Sequence, residues 1–296
     1  MIRLGKFLPA AIAFLLSTFT VPAACEEQAS QASGKRGYIE TSYLIAPRQV
    51  AAFVLESARY DPDQKYAGAG FRYLTGHHQE TRIDVYVYPA GRMDQTTALG
   101  DGMKAFRADI ERAVAAGQYT NLRLQDETDF SLVDRAPAAA SGSTGDQNAT
   151  EILNTISDAI RPEGRKLLMS LNIQPHDWPM HSVGYLFYRQ LYYFKVRATA
   201  AQERVSADDF HTLADHVAHT LVPAIEVVNV GDCANSVINL STAASTEEIA
   251  KSLVTQAATH QGYNCHSTTE AAGMDKKRKD TEVVEISYSL QEWRSE

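Results

Sequence analysis

Alternation with a period of two does most to narrow the folds open to this chain. In "TRIDVYVYP", Ile83, Val85 and Val87 alternate with Arg82, Asp84, Tyr86 and Tyr88, giving a strand with one aliphatic and one polar-aromatic face. The aliphatic face is core; the other is a surface or a second contact. "AGFRYLTG" precedes it as a paired strand, with a turn around "GHHQE". "GYIETSYLI", "LRLQDETDFSLV" and "RKLLMSLNI" add strands, and "SVGYLFYRQLYYFKVRATA" adds a long one or a pair folding back at Arg189 and Gln190. "FVLESARYDP" fits either a helix started by Pro47 or a strand ending at Tyr60 before the turn-prone "DPDQ".

Helical periodicity interrupts the strands at few places. Residues 95–116 follow the cap Asp94, carry Leu99, Met103, Phe106, Ile110 and Val114 on one face, and stop at Gly117. Residues 207–221 follow the cap Ser206, with Phe210, Leu213, Val217 and Leu221 inward and Pro223 beyond. A shorter helix is expected over 150–160, ahead of Pro162, after a flexible low-complexity loop at 136–147. Strands, helix, strands, helix is the order of an α+β fold: a mainly antiparallel sheet with helices packed on it, an α-β-α sandwich over residues 37–226.

The C-terminal 227–296 reads as a small β-α-β unit. "SVINLS" reads as its first strand, and a helix follows from Thr246 to Gln261 with a Ser245–Glu248 capping box and Gly262 at its end. A helix that packs back across its preceding strand ends near that strand's start. That geometry brings Cys265 to Cys233 and predicts a disulfide.

The third cysteine, Cys25, follows a basic start with Arg3 and Lys6 and an apolar run from Phe7 to Leu16, the parts of an export signal. The run is shorter than the roughly 20 residues a spanning helix needs. Val21 and Ala23 suit ordinary cleavage, whereas Pro22 stands where a lipoprotein site wants a branched aliphatic residue. A signal peptide over 1–24, a tail over 25–36 and a periplasmic or secreted mature protein are expected. A lipid anchor on Cys25 is the alternative.

Acidic residues outnumber basic ones, 36 to 28, and loss of Arg3 and Lys6 with the signal takes the net charge from −8 to −10. Such a surface repels phosphate backbones and argues against a nucleic-acid partner. No later stretch is long and apolar enough to be a transmembrane helix in the mature chain.

The run "ARYDPDQKYAGAGFRY" into paired strands, and "YYFKVRATA" leading into a capped helix, resembles the PsbP-like family of exported or lumenal α-β-α sandwich proteins over about Phe53 to Ile225. The resemblance implies a non-catalytic binding or assembly role and transfers no functional residue.

Candidate chemistry is sparse. His211, Asp215 and His219 recur every four residues and could hold a transition metal, but they lie almost opposite the apolar stripe, so a solvated face is the reading and no metal is called for. "HHQE" at 77–80 suits a turn. No nucleophile elbow, phosphate loop or calcium loop is complete, and no cofactor is expected. Aromatic and basic residues alternate in the long strand. If it runs straight, Phe187, Arg189, Tyr193, Lys195 and Arg197 share one face, the composition of a contact surface for a small molecule or a protein. The expectation is an exported, non-catalytic binding or accessory protein of the bacterial cell envelope. The alternative is a hydrolase whose site gathers distant residues, with His176, Asp177 and His181 as catalytic candidates.

Overall fold

The computed structural model describes residues 36–76, 81–132 and 163–293. The expectations placed on 1–35 (export signal, Cys25 and most of the tail), on 77–80, and on the loop and short helix within 133–162 lie outside the described residues. No described helix is long and apolar enough to cross a membrane.

Two sheets and three helices organise the described chain. The strands run β1 (Thr41–Pro47), β2 (Gln49–Val50), β3 (Phe53–Tyr60), β4 (Ala69–Thr75) and β5 (Arg82–Pro89), then, after helix α1 (Gln95–Ala115), β6 (Tyr119–Ser131), β7 (Glu163–Ile173), β8 (Trp178–Arg189) and β9 (Tyr192–Ala201). Helix α2 (Ala207–Ala224) leads to β10 (Glu226–Val230), and α3 (Thr246–Gln261) to β11 (Cys265–His266) and β12 (Thr281–Ser287). The ambiguous run from Phe53 is therefore a strand. β2 to β9 form one antiparallel eight-stranded sheet in the order β2-β3-β4-β5-β9-β8-β7-β6. The α+β reading with a mainly antiparallel sheet holds.

α1 and α2 each cover a face of the large sheet that their sequences prepared. Asp94 accepts the Thr97 N–H at 2.9 Å, and Met103, Phe106 and Ile110 of α1 bury against Leu167, Met169 and Leu186. On the opposite side, Phe210, Ala214, Val217, Ala218 and Leu221 of α2 share a cluster with Phe71, Val85, Phe187, Phe194 and Val196. Leu44, Val227 and Ile286 of the second sheet join that same cluster, so α2 and this small sheet back onto one face of the large one.

The small sheet has the order β11-β10-β1-β12, with β10 and β11 parallel and the other pairs antiparallel. β10, α3 and β11 form a β-α-β crossover, and Cys233 and Cys265 are disulfide-bonded with Cα atoms 5.7 Å apart. Its first strand is "EVVNV", not "SVINLS". The latter segment is irregular and its Val237 is 78% exposed, so it buries nothing that a strand would need to bury. The side chain of Gln256 instead brackets the Asn239 backbone, accepting its N–H at 2.9 Å and donating to its carbonyl at 2.8 Å. The division expected between residues 226 and 227 falls within β10, and β1, nearly two hundred residues upstream, lies between β10 and β12.

α1 sits close on the sheet because Gly102 faces it. A Cβ there would lie 2.5 Å from Leu186 Cδ2 and 2.7 Å from Tyr193 Cε1. Helix propensity favours alanine over glycine by about 1 kcal/mol, whereas overpacking costs about 1–3 kcal/mol. Packing decides the sign: Gly102→Ala is expected to lose about 1–2 kcal/mol in urea unfolding. Gly100→Ala, on the same helix with open space around the new Cβ, is expected to gain up to about 1 kcal/mol.

Candidate functional site

The aromatic-basic run is a hairpin. Gln190 and Leu191 take φ of 52° and 68° and form a two-residue turn, so Arg189 pairs with Tyr192, Tyr188 with Tyr193 and Phe187 with Phe194. A two-residue turn inverts the parity of side chains across it. The single face expected of a straight strand is thereby corrected: Phe187 and Arg189 lie on the α2 side, while Tyr193, Lys195 and Arg197 lie on the α1 side.

The α2-side pair is committed to packing. Phe187 is fully buried with its ring edge-on to Phe130. Arg189 donates to the Val222 carbonyl at 2.7 Å, where the free carbonyls at the end of α2 favour a cation, and lies over the Phe194 ring.

On the α1 side the sheet supplies a cavity of about 110 Å³ between α1, β5 and β9. Tyr86 stands opposite Lys195 and Asp84 opposite Arg197 in the β5–β9 register. Tyr193 supports the wall, donating its hydroxyl to the Ala98 carbonyl at 2.9 Å. Lys195 Nζ lies 5.2 to 5.6 Å from the ring centres of Phe106, Tyr86 and Tyr88 and 3.3 Å from Asp109 Oδ2. Burial lowers the proton affinity of this amine, and Asp109 pulls it back up.

Arg197 is the unusual member. It is half-buried, donates to the Tyr119 hydroxyl at 3.0 Å and to Ser182 Oγ at 3.5 Å, and has no carboxylate partner among the described residues. Asp84, its cross-strand neighbour, is already shared by Arg72 Nε at 2.8 Å and Arg82 Nε at 2.6 Å. Asp109 is likewise taken, by Arg112 and Lys195. Tyr86 has no hydrogen-bond partner for its hydroxyl among the described residues and lines the same cavity. Tyr86, Tyr119 and Asp109 were not singled out as site residues. Only Tyr86 carried a signal, its place on the polar-aromatic face of β5.

An ammonium whose folded-state affinity for a proton is depressed binds its proton more tightly when unfolded. This site therefore opposes folding while charged, and its contribution to stability rises with pH as Lys195 titrates. Asp109→Asn is expected to move the Lys195 titration further down, read from its Cε carbon chemical shift. An unchanged or upward movement would remove Asp109 from this account.

The other candidates are dispersed. His176 stacks on Trp178 at the exposed tip of the β7–β8 hairpin. Asp177 accepts from Thr120 Oγ1 at 3.0 Å and Gln174 Nε2 at 2.9 Å, and hydrogen bonds from Asn172, Thr120 and Gln174 hold its carboxyl below the ordinary value. His181 is on the α2 face, stacked on Phe210, where burial and then His211 lower its proton affinity. No hydrogen bond joins any two of these three among the described residues.

The metal stripe is not on the solvent side as expected. Ala214 and Ala218 belong to the buried face of α2, which turns His211, Asp215 and His219 onto its flank against the sheet. Asp215 accepts from Lys166 Nζ at 2.6 Å and from the Tyr185 hydroxyl, and the His219 ring nitrogens lie 2.8 and 3.1 Å from the Asp215 and Ser131 carbonyl oxygens. Their partners are protein groups, and no cluster of three metal-ligating side chains occurs among the described residues.

A larger recess of about 450 Å³ lies beside the start of α2. Of its polar lining, Ser206 Oγ donates to Asp209 Oδ2 at 2.7 Å and accepts the Asp209 N–H at 3.2 Å, and Thr212 Oγ1 donates to the Asp208 carbonyl at 2.9 Å, which leaves Arg204 and His216 without a converging set of donors. The smaller α1 cavity, with uncommitted donors, is the better candidate.

No family model matches the chain. No curated protein matches it either. Among solved structures it is similar to the solution structure of cyanobacterial PsbP from Synechocystis sp. PCC 6803, with 10% identity and a TM-score of 0.34, over 60% of this chain and 94% of that one. The likeness is too distant to bring any residue or role across.

Proposed function

We propose that the chain is an exported, non-catalytic binding or accessory protein of the cell envelope, and that its ligand site is the cleft between α1 and the β5–β9 strands. The observation that supports this most is Arg197, a half-buried guanidinium that no carboxylate neutralises among the described residues, beside Lys195 and a Tyr86 hydroxyl that has no partner among them. Desolvating a cation without a counter-charge is costly, and the contact of Arg197 with the Tyr119 ring, 5.1 Å from its centre, offsets only part of that cost. Export is supported by the basic-apolar start of the sequence and by the disulfide, which suits an oxidising compartment.

The test is a fragment screen followed by amide NMR, with neutral, acidic and basic small molecules as probes. Shifts are expected to cluster on Tyr86, Phe106, Tyr119, Lys195 and Arg197. Shifts confined to other surfaces, or none with any probe class, would overturn the reading. Mass spectrometry of the mature N-terminus tests export: a free terminus near Ala24 or Cys25 is expected, and an intact Met1 or a lipid on Cys25 would contradict plain cleavage.

A further inference from the structure

Resting on the reading that the α1 cleft binds a ligand, we infer that the group it takes is a small oxyanion, a phosphate or carboxylate carried on a soluble molecule. The donors define the chemistry. Arg197 offers N–H groups beyond those spent on Tyr119 and Ser182, Lys195 has ammonium protons beyond the one aimed at Asp109, and the Tyr86 hydroxyl is unpartnered among the described residues. Tyr119 accepts from Arg197, which leaves its own proton free to donate. Arginine forks, ammonium groups and hydroxyls aimed into one space select oxygen anions over neutral or cationic groups.

The two carboxylates nearest this space do not oppose an anion strongly. Asp84 is held by Arg72 and Arg82, and Asp109 by Arg112 and Lys195. With Glu56, 4.0 Å from Arg72, five cations face three carboxylates, a local positive excess in a chain of net charge −8. A cavity of about 110 Å³ holds a few water molecules' worth of volume, enough for the charged end of a ligand and too little for a large ring system. α1 covers one side, and an anionic group presented by a flat bilayer would meet the helix first.

Isothermal titration of the full chain tests this with inorganic phosphate, sodium acetate, a neutral amide control, and vesicles of phosphatidylcholine with phosphatidylglycerol. Phosphate or acetate is expected to bind with the amide silent, and Arg197→Met to weaken binding at least tenfold. Arg197→Lys, which keeps the charge and loses the fork, is expected to fall between. Lys104→Met removes a charge from the exposed side of α1 and is expected to change binding less than twofold. Unfolding curves on each variant separate lost binding from lost fold. Should neutral fragments shift the cleft amides while both anions fail to bind, the anion inference falls and the binding reading stands. Should no probe of any class reach the cleft, both fall. Binding to vesicles alone overturns the soluble-ligand assignment, and unchanged affinity in folded Arg197→Met overturns the site.

Discussion

Replacing both Cys233 and Cys265 by alanine is expected to lower the stability of the C-terminal crossover by about 3–4 kcal/mol. The bridge closes a loop of sequence separation 32, and chain-entropy arguments give this magnitude for a loop of that length. The loss should be local. Of the α3 residues only Ala258 is buried, and β11 is a two-residue edge strand, so little apolar area holds the crossover once the covalent link is gone. The α1 side of the large sheet has a separate core and should scarcely respond. Hydrogen exchange distinguishes the two regions: amides of α3 should exchange roughly a hundredfold to a thousandfold faster in the double variant, as 3–4 kcal/mol implies, while those of β8 and β9 keep their rates. Full protection of α3 in the variant would show that helix packing, and not the bridge, holds the unit. Treatment of the natural chain with reductant should reproduce the effect.

Local signals explain why the helices were legible and the assembly of the sheets only in part. α3 occupies 246–261 as read, because Ser245 and Glu248 form both halves of a capping box. α1 follows its apolar stripe for the same reason. The hairpin turn shows where such signals stop. Gln190 and Leu191 are not the Asn-Gly or Gly residues that positive φ favours, and the turn is imposed from outside: Leu191 is fully buried, Gln190 Oε1 accepts the Val227 N–H at 2.8 Å, and Ala90 N–H reaches the Leu191 carbonyl at 3.0 Å. Because side-chain parity depends on that turn, the sorting of Phe187 and Arg189 away from Lys195 and Arg197 depended on contacts distant in sequence. The small sheet is similar. β1 reads as a strand, but its pairing with β12 across more than two hundred residues leaves no periodic trace. Tyr86 and Lys195 were each conspicuous, one on a polar-aromatic strand face and the other in an aromatic-basic run. Their meeting is a product of the β5–β9 register.

The polar junction behind that turn should be the most sensitive single position in the core. Asn229 of β10 has no exposed surface. Its Nδ2 donates to the Gln190 carbonyl at 3.0 Å and the Tyr263 carbonyl at 2.8 Å, and its Oδ1 accepts from Ser42 Oγ at 2.7 Å. One side chain thus ties the hairpin of the large sheet to β1 and to the loop after α3. Asn229→Leu, close in volume, would strand two buried carbonyls and a buried hydroxyl, each costing about 1–3 kcal/mol. The apolar transfer gain of the leucine offsets only part of that, and the expected loss is about 3–5 kcal/mol in urea unfolding. Ser42→Ala removes a single partner and should cost about 1–2 kcal/mol. In the double variant the Ser42 hydroxyl is no longer stranded, so the combined loss should fall below the sum of the two. The turn itself supplies a second readout: without the Asn229 donor, the left-handed Gln190–Leu191 backbone loses a support, and the amide resonances of Tyr192 and Tyr193 should shift in the folded variant. A loss under 1 kcal/mol with those resonances unmoved would mean that apolar packing alone fixes the hairpin, and that the face carrying Lys195 and Arg197 needs no polar anchor.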